Sequence, residues 1–192
     1  FVGEEPERTK KNMFNGRWYR CFKWKPAELN SIDFLVKIQK DPKNPSEDLI
    51  KYIGENGDIK PYKTLNLYVG YNPLIHTKYN SFRVLNENII FDEGYNPTLF
   101  TPLQPYKENV CYAYIPVEND NIYTIDDKNI INDNDILECS YDMDSTTIFK
   151  WKPLRIRDNL KPNDYITANN VWNSINDPVS LDNVMNENSI ID

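Results

Sequence analysis

Ser31-Ile32-Asp33-Phe34-Leu35-Val36-Lys37-Ile38 is the stretch that decides the fold class. Successive side chains of an extended chain point to opposite faces, so Ile32, Phe34, Val36 and Ile38 share one apolar face and predict a half-buried strand. Two prolines and an asparagine within 41–45 end it. Working outward, residues 64–71 alternate again, with Leu65, Leu67 and Val69 on one side. Residues 88–92, 109–117 and 136–141 are rich in β-branched and aromatic side chains and read as further strands. Turn signals separate them: Gly57-Asp58, Glu93-Gly94, Asn96-Pro97, Asn119-Asp120 and Asp133-Asn134. Five or more short strands at this spacing predict a mainly β chain folded as a small antiparallel barrel. One helix is expected near the end. Asp164 would cap it from Tyr165, Ala168, Val171, Trp172 and Ile175 would form its buried stripe, and Pro178 would stop it.

The chain has 192 residues, 40% of them hydrophobic and 13% aromatic, too many core-formers for a chain disordered throughout. Its formal net charge of −7 argues against a protein that coats nucleic acid by charge alone. No run of ~20 apolar residues suggests a membrane helix, the mean hydropathy is −0.68, and no signal peptide is visible. A soluble, acidic, folded chain is expected, without a membrane role. Cys21, Cys111 and Cys139 are scattered, no CxxC pair exists, and His76 is the single histidine. A structural zinc site is therefore not expected, and free thiols in a reducing, intracellular compartment are. Abundant Asn, Ile, Lys and Tyr, residues with AT-rich codons, hint at an AT-rich genome.

The charge is segregated. Residues 1–40 carry +4, 41–114 carry −2, 115–148 carry −8, 149–163 carry +4 and 164–192 carry −5. Phe22-Lys-Trp-Lys-Pro26 in the first basic block recurs as Phe149-Lys-Trp-Lys-Pro153 in the second, with no similarity around it, so it reads as two separate uses of one segment. Lys23 and Lys25, at i and i+2, would project from one face of an extended segment toward a common anion. Arg155 and Arg157 repeat the arrangement with guanidinium forks suited to phosphate oxygens. Taken alone, each pair reads more readily as an exposed strand edge; together they suggest two anion claws.

The segment Cys21-Phe-Lys-Trp-Lys-Pro-Ala-Glu-Leu-Asn-Ser-Ile-Asp-Phe34 closely resembles the KWKP-type motif V of mRNA capping guanylyltransferases of eukaryotes and large DNA viruses, commonly KWKPPxxNSxDF. Arg155-Ile-Arg-Asp-Asn-Leu-Lys-Pro-Asn-Asp-Tyr165 resembles their motif VI, RxRxDK followed by PNxY. Asn173-Ser-Ile-Asn-Asp-Pro-Val179 resembles their NSIxxPV tail. The resemblance implies an OB-fold-type domain that closes over the nucleotide. It implies a reaction in which a KxDG lysine, with Mg2+ or Mn2+, takes GMP from GTP and passes it to 5′-diphosphate RNA. Lys23 and Lys25 would hold the α-phosphate. Arg155, Arg157 and Asp158 would belong to the closing lid and orient the β and γ phosphates. The chain departs from the pattern in two places. No KxDG, and no Asp-Gly dipeptide, occurs in it, and no lysine directly follows Asp158, which leaves Lys161 as the candidate for that role.

The implied organisation is the end of a nucleotidyltransferase domain over 1–38, an OB-fold domain over 39–163, and a helix and tail over 164–192. Implied partners are GTP, 5′-diphosphate RNA and an RNA polymerase or methyltransferase domain or subunit. The implied setting is a viral factory, virion or host cytoplasm for a virus, or the nucleus for a cell. Two other classes stay open: the OB portion of an ATP-dependent DNA or RNA ligase, which the NSIxxPV tail speaks against, and a non-catalytic OB module that binds RNA or protein, which the missing nucleophile favours. Trp24 and Trp151 are expected to pack against the barrel rather than stack on bases. Asp126, Asp127, Asp133 and Asp135 lack the order of a calcium loop and read as a solvated loop, and His76 is given no role.

Overall fold

A computed structural model describes residues 26, 29–55, 57–76, 94–158 and 161–179. Seven strands and one helix follow in order: β1 (Ser31–Ile38), β2 (Ile50–Glu55), β3 (Asp58–Tyr71), β4 (Asn96–Leu99), β5 (Tyr112–Pro116), β6 (Ile136–Tyr141), β7 (Trp151–Ile156) and α1 (Tyr165–Asn176). All seven strands share one antiparallel sheet, with the path β2-β3-β1-β6-β7.

The long β3 organises it. One edge of β3 takes β2 along Asp58–Lys63 and then β1 along Leu65–Tyr68, while its other edge takes β5 and β4. β1 in turn pairs β6 through Ser31–Leu35. The sheet therefore crosses the boundary expected at residue 38, with β1 at its centre. β5 comes close to β7 without a ladder between them. The sheet is accordingly an incompletely closed, OB-like one rather than a sealed barrel.

The alternation read in β1 is realised: Ile32, Phe34, Val36 and Ile38 are buried. They meet Leu65, Leu67 and Val69 of β3, Ala113 and Ile115 of β5, and Leu137 and Cys139 of β6 in one core. α1 covers the end of this core with Tyr165, Ala168, Trp172 and Ile175. Trp151 packs inward, edge-on to Phe34 and Tyr141, and donates its indole N–H to the Val110 carbonyl at 2.8 Å. Leu35, absent from the expected stripe, is also buried, in a small cluster with Tyr68 and Ile136 on the opposite face of the sheet.

Three strands were not anticipated. β2 lacks a clean alternation, and Gly54 interrupts it. β7 was read only as a basic block. Asn96-Pro97 opens β4 instead of forming a turn. Pro97 is tolerated because, among the described residues, β4 pairs with β3 alone and needs no amide donor on its other side. The turn residues elsewhere behave as expected. Gly57 (φ 87°) closes the β2–β3 hairpin, and Asn119 and Asp120 (φ 48° and 64°) both take the left-handed region that a tight turn demands. The strand expected over 88–92 lies outside the described residues. Among the described residues, no helix is long and apolar enough to cross a membrane.

Candidate functional site

Trp151, Pro153 and Arg155 have the same parity along β7, so an unbroken strand would send Arg155 into the core behind Trp151. A bulge prevents this. β6 and β7 pair Cys139 with Pro153 but Glu138 with Arg155, a register shift that leaves one extra residue in β7. Slipping a strand by one residue reverses its faces. Beyond the bulge, Arg155 thus stands with Glu138 on the face opposite the core. Arg157 continues the line, its backbone N–H donating to the Ile136 carbonyl at 2.7 Å.

The two guanidiniums converge, as their i, i+2 spacing suggested, and what they converge on is a carboxylate of the chain. Arg155 donates from Nε to Glu138 Oε2 at 2.8 Å, and Arg157 donates from Nη1 to the same oxygen at 3.2 Å. Ser31 donates its hydroxyl to Glu138 Oε1 at 2.7 Å, and Arg157 Nε lies 3.6 Å from Asp33 Oδ2. Asp33, Glu138 and Arg155 form one row across β1, β6 and β7. The arginine side chains are 52% and 34% exposed, whereas those of Glu138 and Asp33 are 15% and 17% exposed. The carboxylates form the floor and the cations face outward. Burial opposes ionisation of Glu138, but the Ser31 and Arg155 hydrogen bonds and the two positive charges outweigh it and hold its carboxyl below the ordinary value. At Asp33 burial prevails over the attraction of Arg157, aided by the repulsion of Glu138, and the pKa rises.

Asp158 and Lys161 are exposed beyond β7. Asn163 anchors the chain that follows. Its side-chain oxygen accepts the Asp33 N–H at 2.9 Å, its N–H donates to the Asp33 carbonyl at 2.9 Å, and its carbonyl accepts the Gly70 N–H at 3.0 Å. Asp164 then caps α1 through the Thr167 N–H and hydroxyl. Lys23, Lys25, Trp24 and Cys21 lie outside the described residues. Sequence reading found the arginines but missed Ser31, Asp33 and Glu138 as their partners. The available signal was the pairing of Asp33 in the first strand with a lone glutamate in the β6 segment.

The other candidates serve structure. Asp133 accepts the Ile38 N–H at 2.7 Å and pairs with Lys40 at 2.7 Å, and Asp127 accepts from Thr124 and Asn129. The acidic run is thus partly a set of strand and turn ties rather than a merely solvated loop. Lys63 is buried against Asp48 at 2.9 Å and the Asp120 carbonyl at 2.8 Å. A cleft beside β1, of about 430 Å³, is lined by Lys37, Gln39, Lys40, Asn66 and Tyr68. Among the described residues, no group of three or more His, Cys, Asp or Glu could hold a metal ion. Cys111 and Cys139 are buried thiols that form no disulfide with each other.

Comparison with known proteins follows the same lines. The family described as mRNA capping enzyme, C-terminal domain, matches residues 29–185. A probable mRNA-capping enzyme of Acanthamoeba polyphaga mimivirus is 29% identical over 180 residues, covering 84% of this chain and 13% of the relative. The chain thus spans only a small part of that relative's length. No solved structure matches it.

Proposed function

The chain belongs to the mRNA capping enzyme C-terminal domain family, and from that membership we propose that it is the lid of a guanylyltransferase, gripping the phosphates of GTP while GMP is transferred toward the 5′-diphosphate end of RNA. The observation that carries this reading is the outward pair Arg155 and Arg157, two forks converging at a point on an otherwise acidic molecule. Convergent guanidiniums suit the β and γ phosphates, whose charge must be held while pyrophosphate departs. Opening of the lid would then admit RNA.

Lys23 and Lys25 would hold the α-phosphate, with Asp158 and Lys161 flanking the arginines. The nucleophilic lysine would come from a KxDG segment that these 192 residues do not contain. A divalent metal is implied by the family, but the described residues supply no ligand set that fits one. An RNA polymerase or a methyltransferase domain is a candidate partner. Buried cysteine thiols suit a reducing compartment such as a viral factory or cytoplasm.

Labelling with α-labelled GTP tests this. The chain alone should acquire no label. Joined to an upstream half bearing KxDG, it should support a lysyl-GMP adduct that Lys25→Ala abolishes. Arg157→Ala should slow adduct formation about 100-fold while sparing transfer of preformed GMP to RNA. Equal loss in both steps would contradict the lid role. An adduct indifferent to both substitutions would favour a non-catalytic binding module.

A further inference from the structure

We propose that Glu138 is the positioning residue of the arginine pair, fixing both guanidiniums at one point so that they meet a triphosphate already ordered; the proposal rests on the phosphate-gripping role argued above. Three strands fix the Glu138 carboxylate. It rises from β6, Ser31 of β1 holds Oε1 at 2.7 Å, and Arg155 and Arg157 at the end of β7 share Oε2 at 2.8 and 3.2 Å. A guanidinium has five N–H donors. Arg155 gives Nε to Glu138, and Arg157 gives Nη1 to Glu138 and lies beside Asp33 through Nε. Each fork therefore keeps terminal N–H groups for an incoming anion. The exposure of Arg155, 52% against 15% for Glu138, puts the anchor below and the cation above.

The need for such an anchor follows from charge and entropy. Two arginines two residues apart repel each other and are long, rotamer-rich chains, costly to order at the moment of binding. One shared carboxylate relieves the repulsion and fixes the rotamers beforehand. Asp33 adds the second negative charge, so the four side chains are formally neutral together and the pair is ordered without a standing excess of positive charge. The bulge at Glu138/Cys139 completes the device, because without it Arg155 would not stand opposite Glu138.

The test uses this chain joined to the KxDG-bearing half and measures adduct formation across GTP concentration, with transfer of preformed GMP to RNA measured in parallel. Glu138→Ala should raise the KM for GTP about tenfold and leave transfer within about twofold. Glu138→Gln, whose amide oxygen still accepts from both arginines, should return KM to within about threefold of the parent and keeps the test valid where the alanine variant folds poorly. A lower KM in Glu138→Ala would overturn the proposal by making the carboxylate a competitor of phosphate. Equal loss of both steps, with glutamine no better than alanine, would overturn it in favour of a purely structural role. Arg155→Ala and Arg157→Ala separate the two levels. If they leave adduct formation unchanged, the phosphate-gripping role itself falls. If they impair it while Glu138→Ala does not, Glu138 alone is excluded.

Discussion

His76 shows how much a single side chain can carry outside the candidate site. Sequence reading gave it no role. In the structure it is almost fully buried, ringed by Tyr71, Tyr95 and Tyr165. Its Nδ1 accepts the Asn72 N–H at 3.0 Å, so in the neutral ring the proton sits on Nε2, which finds no partner among the described residues. Protonating Nδ1 would break the Asn72 bond and place a cation inside an aromatic cage. Burial therefore lowers the His76 pKa below 6.5, against a weaker upward pull from Asp164. Since the unfolded chain binds this proton more readily, the stability conferred by neutral His76 is complete above its unfolded pKa and declines as pH falls from about 6.5 toward the lower folded value. Melting temperature measured from pH 7.5 to 5 should decline in this window, and His76→Gln, which cannot titrate, should flatten that part of the curve. An unchanged slope in the variant would remove His76 from the account.

At the scale of elements, the join between β1, β3 and the chain leaving β7 rests on Asn163. β1 and β3 pair as far as Leu35 and Tyr68, and beyond that point Asn163 takes both backbone groups of Asp33 while its own carbonyl takes the Gly70 N–H. Asn163→Ala leaves the Asp33 N–H without its acceptor and should cost about 1–3 kcal/mol in urea unfolding; a variant within 0.3 kcal/mol of the parent, below the ~0.5 kcal/mol floor for a hydrogen bond, would show that water replaces the amide. This stitch was legible in the sequence only as part of a Pro-Asn-x-Tyr pattern, without a mechanism. The elements that could be read had local causes: a period of two in β1 and β3, and an aspartate cap with an apolar stripe in α1. β2, β4 and β7 could not be read, because Gly54, Pro97 and Pro153 break the pattern locally while pairing with a neighbouring strand restores it. The candidate site divides in the same way. The spacing of Arg155 and Arg157 was visible, but the bulge that turns them outward and the Glu138 that gathers them exist only once β6 and β7 are aligned.

Across the whole molecule, the net charge of −7 speaks against holding phosphates by charge alone. Its segregation removes that objection, because the arginines are presented at one place, anchored by carboxylates of their own sheet. How this surface would close then depends on where it sits in the stability map of the fold. β1 lies between β3 and β6 and is buried on both faces around Phe34 and Leu35. The far end of the β2–β3 hairpin is exposed, with Tyr52 and Ile59 at 68% and 75%. Amides of β1 should therefore exchange with solvent only through global unfolding, and those of 53–55 and 57–59 at least about 100-fold faster through local opening. Arg157 decides the mode of closure. Its N–H is held by Ile136 in the ladder next to β1. If it exchanges with the free energy of β1, the arginines ride on the rigid part of the fold and the lid closes as one body about its connections to the rest of the enzyme. If it exchanges as fast as the hairpin end, closure ordered by the nucleotide at the arginines themselves takes its place, and the prior ordering assigned to Glu138 loses its foundation.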